Sequence, residues 1–99
     1  MKQMTKAIKE KLIENHKKQD GTKEFKAVLK LFNPTGAGTW YLSELNPETN
    51  VAFGLCYITD KEYGYVDLNE LENFKGALGL GIERDKFFTP KTLEECKNL

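Results

Sequence analysis

The sequence has few of the residues on which metal sites and covalent crosslinks depend. Its 99 residues include two cysteines, Cys56 and Cys96, and one histidine, His16. The two thiols do not have the CxxC spacing of a structural zinc site, and isolated thiols are typical of a reducing compartment. We therefore predict no disulfide, no metal site, no cofactor and a cytoplasmic location.

Long apolar stretches are also lacking. The longest apolar run is far shorter than the ~20 residues that cross a bilayer, so we expect no membrane association. The N-terminus leads into a charged helical pattern instead of an apolar segment, which argues against a signal peptide. With 39 % apolar and 30 % charged residues, the composition is that of a folded globule, and we predict a single domain over residues 1–99.

The chain has no net charge, but its charges are unevenly distributed. Residues 1–30 contain nine lysines and four carboxylates, whereas residues 31–99 contain six basic and eleven acidic side chains. A basic end of this kind contacts phosphate or faces the acidic part of its own domain. The lysines of the first helical segment are spread around it and partly neutralised by Glu10 and Glu14, so we expect any nucleic-acid binding to be weak.

The order of helix-like and strand-like segments predicts an α+β fold. Met4, Ile8 and Leu12 recur every four residues and form one apolar stripe on a helix from about Thr5 to Lys18. Short β-rich segments joined by tight polar turns predict antiparallel strands over residues 25–32, 39–45, 51–58, 62–66 and 82–88. The expected architecture is an antiparallel four- to five-stranded meander with an N-terminal helix, a short helix before the last strand and a short C-terminal helix.

Local signals place the two short helices. Asp67 and Glu70 have the spacing of a capping box, which predicts a helix that begins after Asp67. Thr89-Pro90 predicts the start of the C-terminal helix, because proline is favoured at the first helical position.

The positions of the two thiols in the chain predict how fast they react. Cys56 lies in an apolar strand segment, so we expect it to react slowly, and Cys96 lies near the C-terminus, so we expect it to react promptly.

Strand alternation sends one of the rings of Trp40 and Tyr41 into the core and the other outward, where it is available for contact.

The sequence does not contain a recognisable catalytic constellation. His16 lies on a lysine-rich helix far in sequence from Cys56, which gives no evident nucleophile and base pair. The glycine-rich segments 36–38 and 76–81 precede strands and lack the phosphate-loop motif. Glu24-Phe25-Lys26 has the E-x-K form of metal-dependent nucleases, but no suitable acidic partner precedes it. We assign no catalytic residue, and a metal-dependent enzyme that uses an acidic cluster around residues 83–85 is the third interpretation.

The segment Ile82-Glu83-Arg84-Asp85 is the most site-like motif. Arg84 lies between two carboxylates and either pairs with them or presents its guanidinium fork to a partner. Exposed tyrosines supply amphipathic rings for contact. The candidate binding residues are Tyr41, Tyr65, Glu83, Arg84 and Asp85, and a purely structural ion-pair cluster at 83–85 is the alternative.

Four short motifs occur in a fixed order along nearly the whole chain. They are Trp40-Tyr41, Phe53-Gly54-Leu55, Gly64-Tyr65-x-x-Leu68 and Gly79-Leu80-x-Ile82-Glu83-Arg84-Asp85. This pattern resembles a bacterial family with a domain of unknown function that occurs on plasmids, phages and conjugative elements. Ile13 and Gly81 stand where that family often has proline, and Tyr63 stands where it often has leucine. The resemblance implies an accessory protein of mobile elements and does not supply a reaction.

Three functional hypotheses follow in order of preference. The first is a non-catalytic module that binds another protein during maintenance of a mobile element or evasion of host defence. The second is a nucleic-acid-binding accessory that uses the basic N-terminal helix and a tyrosine-bearing sheet face. The third is the enzyme. The sequence makes no prediction of the oligomeric state.

Overall fold

The computed structural model describes residues 4–99, which form one five-stranded sheet with helices on both faces. The elements are α1 (Lys6–Lys18), β1 (Leu29–Phe32), β2 (Thr39–Asn46), β3 (Val51–Tyr57), β4 (Lys61–Asp67), α2 (Leu68–Asn73), a 3-10 turn (Ala77–Gly79), β5 (Glu83–Arg84) and α3 (Leu93–Lys97). All strand pairs are antiparallel and the order is β4-β3-β2-β1-β5. The predicted α+β architecture is confirmed. Strand β5 pairs with β1 and forms the edge of the sheet opposite β4.

Helix α1 packs through the predicted apolar stripe. The hydroxyl of Thr5 accepts a hydrogen bond from the backbone N–H of Ile8 (3.2 Å) and caps the helix. Leu12 is fully buried, while Met4 and Ile8 are partly buried against the same cluster. A polar helix of this length gains most of its stability from packing such a stripe on the sheet.

The sheet buries side chains on both of its faces. We call the side that packs against α1 the α1 face, and its cluster includes Leu12, Leu31, Trp40, Leu42 and Ala52. We call the opposite side the α3 face. Its smaller buried cluster consists of Ala27, Tyr41, Leu55 and Cys96, against which Phe88 and Leu93 pack. The two central strands therefore contribute alternate residues to two separate layers.

Trp40 and Tyr41 point to opposite faces, as strand alternation requires, but both rings are buried. Trp40 is 7 % exposed and Tyr41 is 5 % exposed. The ring of Tyr41 packs against Phe88 at a centroid distance of 5.9 Å, and the Lys30 ammonium lies 5.5 Å from its centroid. Burial raises the pKa of Tyr41. The expectation that one of the two rings points outward is wrong, because α3 and the segment before it cover the second face.

Two strands, β1 and β5, are shorter than predicted by several residues. The segment at 25–28 precedes β1, and there Ala27 makes an isolated antiparallel bridge with Lys91, the two residues exchanging backbone hydrogen bonds of 2.7 and 3.2 Å. The predicted strand at 82–88 is limited to β5. It ends because the Asp85 carboxylate accepts the Phe87 N–H (2.9 Å) and so forms a side-chain turn.

The capping box lies at α3 and not at α2. Asp67 does cap α2, but its carboxylate accepts from Asn69 N–H (2.8 Å), so the predicted reciprocal bond with Glu70 is replaced by a simpler cap. At α3, the Thr92 hydroxyl accepts from Glu95 N–H and the Glu95 carboxylate accepts from Thr92 N–H. The hydrogen bonds that the Thr92 N–H and the Thr92 hydroxyl donate to the Glu95 carboxylate lower the pKa of Glu95. None of the helices within residues 4–99 is long and apolar enough to cross a membrane.

Both cysteines are free, as predicted, but their environments are the reverse of the expectation. Cys96 is fully buried, because α3 packs back on the sheet over Tyr41 and Leu55, whereas Cys56 is only half-buried. Burial raises the pKa of both thiols. Proximity to a chain end was a poor guide to exposure here.

Titration of the native protein with a chromogenic disulfide reagent at mildly alkaline pH should therefore modify Cys56 first. Cys96 should react only when α3 detaches or the protein unfolds. The variant Cys56→Ser should show no fast phase. A fast phase that survives this substitution would place Cys96 at the surface.

Replacing Trp40 with alanine should destabilise the fold by about 3–5 kcal/mol, because it leaves a large cavity between the sheet and α1. Urea unfolding of the variant measures this loss. The control is Phe87→Ala, since Phe87 is 94 % exposed and its removal should change the free energy of unfolding by less than about 0.5 kcal/mol. Equal effects at the two positions would contradict the assignment of Trp40 to the core.

Candidate binding groove

A β-bulge in β2 determines which side chains line the α3 face. Leu42 pairs with Gly54 of β3, but Glu44 pairs with Phe53, so Ser43 is an extra residue between the two pairs. Residues 42 and 44 of a regular strand share a face. The bulge reverses this alternation and brings Glu44 to the α3 face, beside Phe53.

Two residues from other segments support the bulge. The side-chain amide of Asn15 on α1 donates to the carbonyl oxygen of Ser43 (3.0 Å), and both residues are buried. The bond supplies this buried carbonyl with a side-chain donor from outside the sheet. On β3, a Cβ at position 54 would overlap the carbonyl oxygen of Tyr41 and the Cα of Leu42. The close approach of β2 and β3 at the bulge therefore requires Gly54.

Glu44 is a buried carboxylate at the base of a groove. Glu44 is 7 % exposed. The side-chain amide of Gln19 donates a hydrogen bond to its Oε2 (3.1 Å). Among the described residues no lysine or arginine forms an ion pair with it within 4 Å. Asp and Glu are rarely buried to this extent without a cationic partner.

Gln19 also organises the loop beside Glu44. It is the C-terminal cap of α1, and its side-chain amide donates to the carbonyl of Lys23 (2.8 Å). Its carbonyl oxygen accepts from the backbone N–H groups of Gly21 (3.0 Å) and Lys23 (3.2 Å). One side chain therefore joins the end of α1, the loop at 19–23 and the buried carboxylate.

Aromatic rings form the wall of the groove opposite this loop. Phe53 on β3 and Tyr65 on β4 pack at a centroid distance of 5.1 Å with an angle of 55° between the rings. Tyr65 is 76 % exposed, so this pair extends from the half-buried Phe53 to solvent. Cross-strand aromatic pairs of this type stabilise a sheet while leaving one ring face accessible.

The groove is large enough to hold a long side chain. Its main cavity has a volume of about 570 Å³ and continues into a smaller one of about 380 Å³, next to the turn between β2 and β3. Both cavities are lined by Gln19, Glu44, Phe53 and Tyr65. We call the combined depression the aromatic groove.

The rim of the aromatic groove near α3 carries a negatively charged and a positively charged side chain. The hydroxyl of Tyr63 donates to the Glu94 carboxylate (3.4 Å), and the ammonium of Lys97 lies 4.3 Å from the Tyr63 centroid. Hydrogen bonding with Tyr63, aided by the charge of Glu94, raises the pKa of Lys97. On the opposite rim, Lys23 and Lys26 line the main cavity.

The structure separates the binding residues that the sequence predicts. Tyr65 lies in the aromatic groove on edge strand β4, while residues 83–85 lie at and beside β5 on the other edge. Four strand spacings separate the two edges, which is roughly 19 Å. Tyr41 lies between them but is buried. The five residues therefore do not form one surface.

Residues 83–85 are partly engaged in structural contacts. Asp85 forms an ion pair with Lys30 (3.4 Å), and its N–H donates to the Lys30 carbonyl (2.9 Å). The Nε of Arg84 is buried and has no hydrogen-bond partner among the described residues, while Glu83 is exposed. The ion pair supports the structural interpretation for Asp85, and the binding role of this segment stays a prediction.

The residues with nucleophilic or metal-binding chemistry are dispersed. His16 lines the smaller cavity of the aromatic groove, and neither cysteine lines it. Cys56 packs on the α1 face, and Cys96, a residue of α3, is buried against the α3 face. Within residues 4–99, no three His, Cys, Asp or Glu side chains are grouped so that they could hold a metal ion.

Sequence reasoning found one of the four residues that line both cavities, Tyr65. Gln19, Glu44 and Phe53 were missed because the bulge was not anticipated. Two signals were available: Ser43-Glu44 interrupts the apolar alternation of β2, and Gly54 stands inside an otherwise regular strand, where glycine often marks a bulge.

One comparison with known proteins gives a match. The model of a family described as "Protein of unknown function (DUF2958)" matches residues 3–94, which is nearly the whole chain. No curated protein and no solved structure matches the chain.

The role of Gly54 in the bulge is tested with a matched pair of glycines. Gly54→Ala should destabilise the protein by about 3 kcal/mol, because the added methyl group meets backbone atoms of β2. Gly64, its cross-strand partner on β4, has open space around an added Cβ, so Gly64→Ala should be neutral within about 0.5 kcal/mol. Urea unfolding compares the two, and similar losses would show that the bulge does not restrict position 54.

Proposed function

The chain belongs to the DUF2958 family of proteins of unknown function, and we propose that it is a non-catalytic accessory protein of mobile genetic elements that acts by binding another protein. The resemblance of its motifs to proteins of plasmids, phages and conjugative elements motivates the biological setting. The aromatic groove motivates the mode of action.

The observation that carries the proposal is the exposed ring of Tyr65 above a recess. Tyrosine is enriched in protein interfaces because it offers a large, rigid surface with a polar tip. Here the Phe53 ring supports it from below (5.1 Å), so the contact surface is ordered before binding. Exposed aromatic rings beside a cavity of about 570 Å³ are typical of a site that receives a side chain from a partner.

The nucleic-acid alternative is less well supported by the structure. Three of the lysines on α1 lie near carboxylates of the same helix: Lys6 near Glu10 (3.9 Å), and Lys11 (3.7 Å) and Lys18 (2.6 Å) near Glu14. Hydrogen bonding and charge from the two lysines lower the pKa of Glu14, so this carboxylate stays ionised. Internal neutralisation reduces the phosphate attraction on which non-specific binding depends.

Affinity capture from the native host tests the proposal. The tagged wild-type protein should retain a partner after nuclease treatment, and Tyr65→Ser should lose most of it. Phe87→Ser is the matched control, because Phe87 is an exposed aromatic residue near β5, at the opposite sheet edge. Comparison of hosts with and without the mobile element identifies whether the partner is encoded by the element or by the host.

Three results would contradict the proposal. Recovery that disappears with nuclease favours the nucleic-acid alternative. Recovery that depends on Phe87 and not on Tyr65 moves the surface to the segment around residues 83–85. The absence of any retained protein, with the fold of the bait verified by circular dichroism, argues against a stable protein partner.

A further inference from the structure

The charge of Glu44 is not balanced within the part of the chain that the structure describes. Its residue is more than nine-tenths buried, it lines both cavities of the aromatic groove, and it receives a single hydrogen bond, from neutral Gln19. Burying a charged carboxylate is unfavourable unless a cation or several donors compensate for the lost water. Lys23 and Lys26 line the main cavity, yet neither forms an ion pair with it.

The aromatic residues of the α3 face give a second, independent observation. Four rings on this side of the protein each have a lysine ammonium within 4.3–5.6 Å of the centroid. The pairs are Lys30 with Tyr41, Lys61 with Tyr57, Lys91 with Phe88 and Lys97 with Tyr63. The Phe53–Tyr65 pair, which lies beside Glu44, has no such cation among the described residues.

The chain therefore supplies an anion and two ring faces at one point and leaves both without a cation. We propose that the aromatic groove binds an arginine side chain of the partner protein, with the guanidinium against the Glu44 carboxylate and over the Phe53 and Tyr65 rings. This inference rests on the proposed function, since it specifies the chemistry by which a protein partner is recognised.

Arginine fits this combination better than lysine. A guanidinium is planar, stacks on aromatic faces and donates two parallel hydrogen bonds to a carboxylate. It is also more weakly hydrated than an ammonium, so its transfer into a largely buried site is less costly. Gln19 already donates to Oε2 of Glu44, and the carboxylate retains acceptor capacity for a charged donor.

The test uses blocked tripeptides, acetyl-Ala-Arg-Ala-amide and the same peptide with citrulline or lysine in the central position. Citrulline has nearly the shape of arginine but no charge. Binding to the full-length protein is followed by two-dimensional NMR of backbone and side-chain amides. The Gln19 side-chain amide is the most direct reporter, because it contacts Glu44. The variants are Glu44→Gln, the charge-matched control Glu48→Gln at an exposed position, and Tyr65→Ser.

The arginine peptide should shift the signals of Gln19, Phe53 and Tyr65 saturably. We expect at least a tenfold weaker affinity for the citrulline peptide, for Glu44→Gln and for Tyr65→Ser, with no change in Glu48→Gln. The lysine peptide should bind more weakly than the arginine peptide. Tyr65 is exposed, so its variant remains informative even if Glu44→Gln does not fold.

Equal binding of the citrulline and arginine peptides, or unchanged binding by Glu44→Gln, would overturn the inference. Tighter binding of the lysine peptide would overturn the choice of arginine. The proposed function is tested separately, by the capture experiment. It is wrong if no protein partner is retained through Tyr65. If a partner is captured through Tyr65 but retained by Glu44→Gln, only the arginine inference is wrong.

Discussion

The hydrogen bond from Asn15 to the carbonyl oxygen of Ser43 is the interaction on which the binding face depends. It satisfies the backbone at the one point where β2 departs from regular pairing. Gly54 leaves the space that the departure needs. The consequence appears on the other side of the sheet, where Glu44 joins Phe53 and Tyr65. A polar contact beneath α1 thus determines the chemistry of a groove that α1 reaches through His16 and through its C-cap, Gln19.

The parts of the fold that could be predicted from the sequence are those governed by local signals. The stripe on α1 and the turns between β1 and β4 are encoded within a few residues of where they occur. The late start of β1 and the burial of Cys96 depend instead on contacts between residues far apart in the chain, namely the bridge between Ala27 and Lys91 and the packing of α3 on the sheet. Such pairings are not visible in periodicity.

The candidate site was only partly predictable for a related reason. Tyr65 is recognisable because an aromatic residue in a short polar strand tends to be exposed. Glu44 is not, since simple alternation from Leu42 assigns it to the α1 face, and one extra residue reverses that assignment. The sequence also grouped Tyr65 with Arg84, although the strand order separates them, because order within a sheet is set by long-range pairing.

The division of the sheet into two layers has a consequence for how such a protein diversifies. Adjacent residues of β3, such as Ala52 and Phe53, serve different purposes: one fills the larger core and the other lines the groove. Substitutions at groove positions therefore leave the packing of the principal core intact, so a change of binding partner does not require a loss of folding stability. A lineage with this backbone is free to exchange its recognition chemistry through few mutations, provided that the residues at the bulge are inherited unchanged.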